Sequence, residues 1–349
     1  MKNIKTGLSI GYTDLGNISK FGSIFTLQPF LEFNAFKSKD ITVHIGTGVS
    51  YVTEKYDPIS NEFNRAVSTN INWSFRFFMY YNLMKSKHVN WRIGTGVNHN
   101  SNGYAKLPNQ GYNSFLMSLS AEIQTSKDSF ENSSPDNIPA KSISNYLSFR
   151  SGLGQNILSE AFDDLKSVYI LSGDYGKVYH NILRLGIGVY FRFYETYYDY
   201  ISNNESLVQT GREFSDLRSN AFANALNIGV SINGELLLNH FGIELQCGVN
   251  LYKPAYKMDW RINEGWGNVP KVIPESGGNY TLGDVDAGYY KIKRTISARL
   301  GLKYYVISTA KKPETNFYIG EFINSNLGQA DFSEVAIGYV KTFKPKIVD

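Results

Sequence analysis

The chain has 349 residues, with 35 Lys and Arg against 31 Asp and Glu, a net charge of +4 and one cysteine. So small a charge excess does not fit a nucleic-acid binder, and a single Cys247 excludes an intrachain disulfide framework or a thiolate metal cluster. A helical membrane span needs about 18 or more consecutive apolar residues, which the sequence lacks, whereas its mean hydropathy of −0.28 suits a sheet with one apolar and one polar face.

In chain order, Met1 to Gly7 holds two lysines and passes directly into a strand-like stretch, Leu8 to Tyr12, without the apolar core and small-residue cleavage site of a signal peptide. An exported barrel needs such a signal, so the expectation is a chain lacking its natural beginning. Strands are predicted at 4–13, 23–36, 40–54, 68–85, 88–101 and 112–126. Their connections alternate between short ones, Lys37–Lys39 and Ser86–Lys87, and longer polar ones, Glu54–Val67 and Asn102–Gly111. This asymmetry fits short periplasmic turns and longer outside loops.

The stretch from Trp91 to Ile123 shows the face pattern best. With a period of two, Val89, Trp91, Ile93, Thr95, Val97, His99 and Ser101 share one face, opposite Asn90, Arg92, Gly94, Gly96, Asn98 and Asn100. The next strand sets Asn113, Phe115, Met117, Leu119, Ala121 and Ile123 against Ser114, Ser118, Ser120 and Glu122. The polar face is too rich in Gly and Ser for the outside of a large soluble sheet. The pattern predicts an all-β fold, an antiparallel transmembrane β-barrel that is apolar outward and polar inward. His99, Ser101 and Asn113 then lie on the outward, apolar side, near the outer leaflet.

Residues 127–142, with two prolines, mixed charges and no alternation, read as a linker. Further strands are predicted at 143–154, 166–175, 181–199, 222–238, 240–254, 289–308, 314–324 and 333–343. Here Leu183, Leu185, Ile187, Val189 and Phe191 oppose Arg184, Gly186, Gly188, Tyr190 and Arg192. The halves also resemble one another: the hairpin starting at Ser23 has a counterpart starting at Leu226, and WRIGTGVNH is loosely matched by FYIGEFINS. Under that alignment His99 falls opposite Ser325 and Ser101 opposite Leu327. The expected organisation is therefore tandem: a unit at 1–126, incomplete at its N-terminus and carrying the motif, the linker, and a second barrel unit at 143–349 without the motif. The alternative is one continuous barrel of about 14 strands.

Ser101 and His99, two residues apart on one strand face, are near enough for the imidazole to accept the serine proton. Asn113, at the start of the paired strand and on the same face, can offer its amide oxygen to the imidazole N–H, the part an Asn plays in papain-like proteases. Asn102 or the backbone N–H of Gly103 is a candidate donor to an oxyanion, with Asn109 in support.

At HNSNGYAKLPNQGYN the sequence resembles the outer-membrane lipid A 3-O-deacylases of the PagL type, also labelled acyloxyacyl hydrolases. The residues that carry the likeness are His99, Ser101, Asn102, Pro108, Asn109, Gly111 and position 113, and it extends over about residues 4–126. The resemblance implies Ser101 as nucleophile, His99 as general base, and ester hydrolysis on a lipid in the outer leaflet of a bacterial outer membrane. It implies lipid A or lipopolysaccharide and membrane lipids as partners, with no cofactor, no metal and no nucleic acid. The chain departs from the family pattern at Asn113, where the family has a Glu. A non-catalytic barrel, serving as a pore, adhesin or scaffold with a decayed motif, is the second function class.

Overall fold

In a computed structural model of the chain, residues 5–35, 40–86, 88–123, 142–266, 288–343 and 346–347 are described. The chain divides into two units, residues 1–138 and 139–349. The stretch predicted as a linker lies outside the described residues except for Ser142, which begins the second unit's first strand.

The first unit is a six-stranded antiparallel meander of β1 (Lys5–Asp14), β2 (Ser23–Asn34), β3 (Ile41–Val52), β4 (Ile71–Lys85), β5 (Val89–Ser101) and β6 (Tyr112–Ile123), each strand paired with the next. The sheet curls enough that Lys5 on β1 and Glu122 on β6, its two edges, form an ion pair. Its inward face is polar, with Arg92 held by Glu32 at 2.9 Å and the His44 ring stacked on Phe30. Inward glycines make room for this filling, and a Cβ on Gly96 would collide with the Phe78 ring. Two register pairs position the site: His99 lies opposite Asn113, and Ser101 lies opposite Trp73.

Among the described residues the second unit has eight long strands, β7 (Ser142–Asn156), β8 (Lys166–Tyr179), β9 (Leu183–Tyr194), β10 (Leu226–Leu238), β11 (Phe241–Tyr252), β12 (Ile296–Tyr305), β13 (Thr315–Asn326) and β14 (Gln329–Thr342), and a two-residue strand, β15 (Lys346–Ile347), that pairs with the start of β7. The eight long strands pair in sequence, and β14 returns to β7, closing a barrel. All eight are long enough to cross a bilayer core when tilted. Leu183, Leu185, Ile187, Val189 and Phe191 are exposed outward, while Arg184, Tyr190 and Arg192 are buried inward. The all-β barrel expectation is borne out, with six strands in one sheet and eight in the closed barrel.

Three predicted strands of this unit are too long. Residues 195–199 belong to α1 (Glu195–Ser202), residues 222–224 to α2 (Ala221–Asn224), and residues 289–295 to a helix, numbered α4 (Gly288–Thr295), that follows α3 (Tyr256–Trp266). In α1 the buried Thr196, Tyr197, Tyr200 and Ile201 recur at helical spacing, and α2 is capped by the Asn220 side chain, which accepts from the Ala223 N–H. Tyr197, Ile201, Met258 and Ile262 bury themselves with Val168, Ile170, Tyr194 and Phe332 from the strand ends. Each side chain so buried contributes about 1.5–3 kcal/mol.

Candidate active site

β5 ends at Ser101 and the chain turns back to β6 through residues 102–111. Antiparallel pairing sets His99 beside Asn113, and the two-residue spacing sets Ser101 on the same face as His99. His99 Nε2 is 2.8 Å from Ser101 Oγ, and His99 Nδ1 is 2.6 Å from Asn113 Oδ1. The three side chains predicted from sequence thus form one hydrogen-bonded line.

The amide of Asn113 has its orientation set by the backbone. Its Nδ2 donates to Gln110 O at 3.3 Å and to Gly111 O at 3.4 Å, so Oδ1 is the atom left for the imidazole. An oxygen can only accept, hence Nδ1 of His99 carries the proton and the Nε2 lone pair faces the serine hydroxyl. That is the tautomer a general base needs.

The turn loop encloses the serine. Ser101 is only 2% exposed, and Gly111, at φ +74°, lies so close that a Cβ there would stand 2.9 Å from His99 Cε1 and 3.4 Å from Ser101 Cβ. A glycine is required on both counts, conformation and space.

The predicted oxyanion residues are used unequally. Asn102 is committed within its own loop: its N–H donates to Asn109 Oδ1 at 3.1 Å, its Nδ2 donates to Lys106 O at 2.7 Å, and its Oδ1 accepts from the Tyr104 N–H at 3.1 Å. Gly103 supplies the left-handed turn at φ +63°. Asn109, its oxygen tied to the residue after the serine, has a buried Nδ2 with no hydrogen-bond partner among the described residues. Of the three predicted oxyanion residues it is the one whose side-chain donor is uncommitted.

Sequence reasoning missed the scaffold behind the loop. Residues 64–68, from the connection between β3 and β4, hold residues 108–112: Gly111 N donates to Ala66 O at 2.8 Å, Gln110 N to Arg65 O at 3.2 Å, Ser68 Oγ to Pro108 O at 2.6 Å, and Tyr112 OH to Asn64 Oδ1 at 3.1 Å. No motif links residues 40 or more positions apart, so only the folded chain reveals them. On the outward side Trp73, Phe75, Val97 and Phe115 flank the site, with Phe115 73% exposed. Among the described residues no group of His, Cys, Asp and Glu is arranged to hold a metal.

Residues 4–122 match the family described as Lipid A 3-O-deacylase (PagL), which bears out the resemblance carried by His99, Ser101, Asn102, Pro108, Asn109 and Gly111. No curated protein matches the chain significantly. Among solved structures, the COG4313 outer membrane channel from Pseudomonas putida F1 is 8% identical, over 97% of this chain and 93% of that one, with a TM-score of 0.21. The outer membrane phospholipase OMPLA of Salmonella typhi, solved as a dimer with bound calcium, is 10% identical over 96% and 88% with a TM-score of 0.18. TM-scores at this level do not establish a common fold.

Proposed function

We propose that the chain is an outer-membrane serine esterase that removes an ester-linked acyl chain from lipid A, with Ser101 as nucleophile, His99 as general base and Asn113 as the group that holds the imidazole. The observation that carries this reading is the line Asn113 Oδ1, His99, Ser101 Oγ, at 2.6 and 2.8 Å, with the amide orientation fixed by two backbone carbonyls. The match of residues 4–122 to a lipid A deacylase family supports the substrate class and the outer-membrane location.

In the proposed reaction Ser101 Oγ attacks the ester carbonyl as its proton passes to His99 Nε2, and the imidazolium then returns that proton to the leaving alcohol. Asn109 Nδ2 donates to the oxyanion of the tetrahedral intermediate, while Asn102 and Gly103 shape the loop that presents it. Water hydrolyses the acyl-serine by the same steps. The outward position of the site, among Trp73, Phe75, Val97 and Phe115, suits an acyl chain arriving from the lipid rather than from the lumen.

The test is Ser101→Ala. It removes only a hydroxyl, so the barrel remains folded and heat-modifiable, and deacylation of lipid A followed by mass spectrometry falls by about 10³-fold or more. Release of acyl chain at the parent rate from that variant would remove Ser101 as nucleophile.

A further inference from the structure

The three loops at the site's end of the first unit share a pattern that catalysis does not use. In each, an apolar side chain is followed two residues later by a cation: Ile18 and Lys20 in residues 15–22, Phe63 and Arg65 in residues 53–70, Tyr104 and Lys106 in residues 102–111. Ile18 and Phe63 are 70% and 84% exposed, Tyr104 is half-buried, and all three cations are exposed. The main chain at each cation is fixed by a hydrogen bond to its own carbonyl. Lys20 O accepts from Asn61 Nδ2 at 2.9 Å and Asn64 Nδ2 at 3.0 Å, Arg65 O from the Gln110 N–H, and Lys106 O from Asn102 Nδ2. The last two bonds belong to the loop that carries the site.

From these observations we infer that the three loops form a platform that seats on an anionic, phosphate-bearing lipid surface, with the exposed Ile18 and Phe63 entering the lipid and the cations meeting the headgroup phosphates on the side of the unit that carries Ser101. This rests on the esterase reading and goes beyond it by assigning recognition of the headgroup to Lys20, Arg65 and Lys106. An apolar group with a neighbouring cation is the arrangement in which a side chain enters the acyl boundary while the charge stays at headgroup level. A cation near an anionic surface strengthens binding by about fivefold. Glu54, Asp57 and Glu62, with a further exposed cation in Lys55, lie in the middle loop, so the three loops have no large net charge and recognition depends on where the cations are placed. The Asp57 carboxylate is occupied by its own turn, accepting from the Ile59 and Ser60 N–H groups.

The experiment titrates dihexanoyl phosphatidic acid into the full chain in neutral detergent, in a Ser101→Ala background, with dihexanoyl phosphatidylcholine as the control lipid. The phosphatidic acid binds more tightly than the control. Combining Lys20→Gln, Arg65→Gln and Lys106→Gln weakens its binding by about tenfold or more, while Lys20→Arg, Arg65→Lys and Lys106→Arg together retain it within about twofold because charge is kept. Added salt narrows the difference between the two lipids. Should the triple variant fail to fold, Lys20→Gln and Lys106→Gln are compared singly at about fivefold each. Equal binding of both lipids, or undiminished binding after loss of the cations, overturns the platform. Lipid A turnover by the chain carrying Ser101 is measured in parallel. Cation-dependent binding without turnover rejects the esterase and leaves the platform standing, and turnover without cation dependence does the reverse.

Discussion

Asn113 stands where the resembling family has a carboxylate, and its neighbours determine what an amide does there. An amide that replaces a triad Asp in trypsin, a known case, lowers turnover about 10⁴-fold because it selects the wrong tautomer. Here Gln110 O and Gly111 O occupy the NH₂ group, so the oxygen faces His99 and the useful tautomer is kept. What a neutral amide does not provide is charge to stabilise the imidazolium. Asn113→Ala frees the imidazole to rotate and is expected to lower kcat by about tenfold or more. Asn113→Glu adds the charge but loses both donations to the carbonyls, and turnover is expected to stay within about tenfold of the parent. Lipid A hydrolysis by the three forms over a pH series checks both, and equal rates in Asn113→Ala and the parent would reduce the machinery to His99 and Ser101.

At the scale of elements, the connection between β3 and β4 is what ties down residues 108–112 beside the candidate site. Asn64, 1% exposed, donates to Lys20 O and Glu54 O and accepts from Tyr112 OH. Asn64→Ala leaves these groups unpaired, at a cost of about 1–3 kcal/mol. The expected result is faster hydrogen exchange in residues 53–70 and 102–111 and reduced turnover, with the second unit unchanged. In that unit α3 carries a carboxyl group that burial perturbs. Burial pushes Asp259 on α3 up to about 6, with the Tyr197 hydroxyl and the Asn263 amide donating to it. Because the folded state holds this proton more tightly than the unfolded chain, with its ordinary value of 3.8, its contribution to stability is complete at lower pH and is lost as pH rises through about 6. Protection factors in α3 are therefore expected to be higher at about pH 5 than at about pH 7, and Asp259→Asn is expected to flatten that difference.

Across the whole molecule, the lumen of the second unit is filled by charge pairs rather than left open. Glu235 meets Arg184 at 2.6 Å and Lys303 at 3.2 Å, Glu244 pairs with Lys303 and Arg299, and Glu334 pairs with Arg150. Aromatic faces fill the remaining space, with Arg192 over Tyr190 at 4.4 Å and Lys303 over Tyr318 at 4.5 Å. This packing disfavours the pore reading, since a pore keeps water along its axis. Lys303 bridges two carboxylates, so Lys303→Met leaves both short of a partner and is expected to cost about 3–5 kcal/mol. A lowered unfolding temperature of the heat-modifiable form measures it, and an unchanged midpoint would show that the network is redundant at that position.

Alternation along the strands was sufficient to determine the barrel class, the lipid-facing and lumen-facing sides, and the six and eight strands, because side-chain direction in a strand is fixed by local geometry with a period of two. The same local rule put His99 and Ser101 on one face at a strand end, with Asn113 on the same face of the paired strand, across the loop of residues 102–111. The helices were not legible, since the tyrosine-rich segment 194–200 fits a strand by propensity and becomes helical only where it can bury Tyr197 and Tyr200 against the barrel's end. The orientation of the Asn113 amide, the commitment of Asn102 to its own loop and the hold of residues 64–68 on residues 108–112 were decided by tertiary structure alone. Each depends on backbone carbonyls or N–H groups from elsewhere in the fold, and a backbone group has no signature in the sequence.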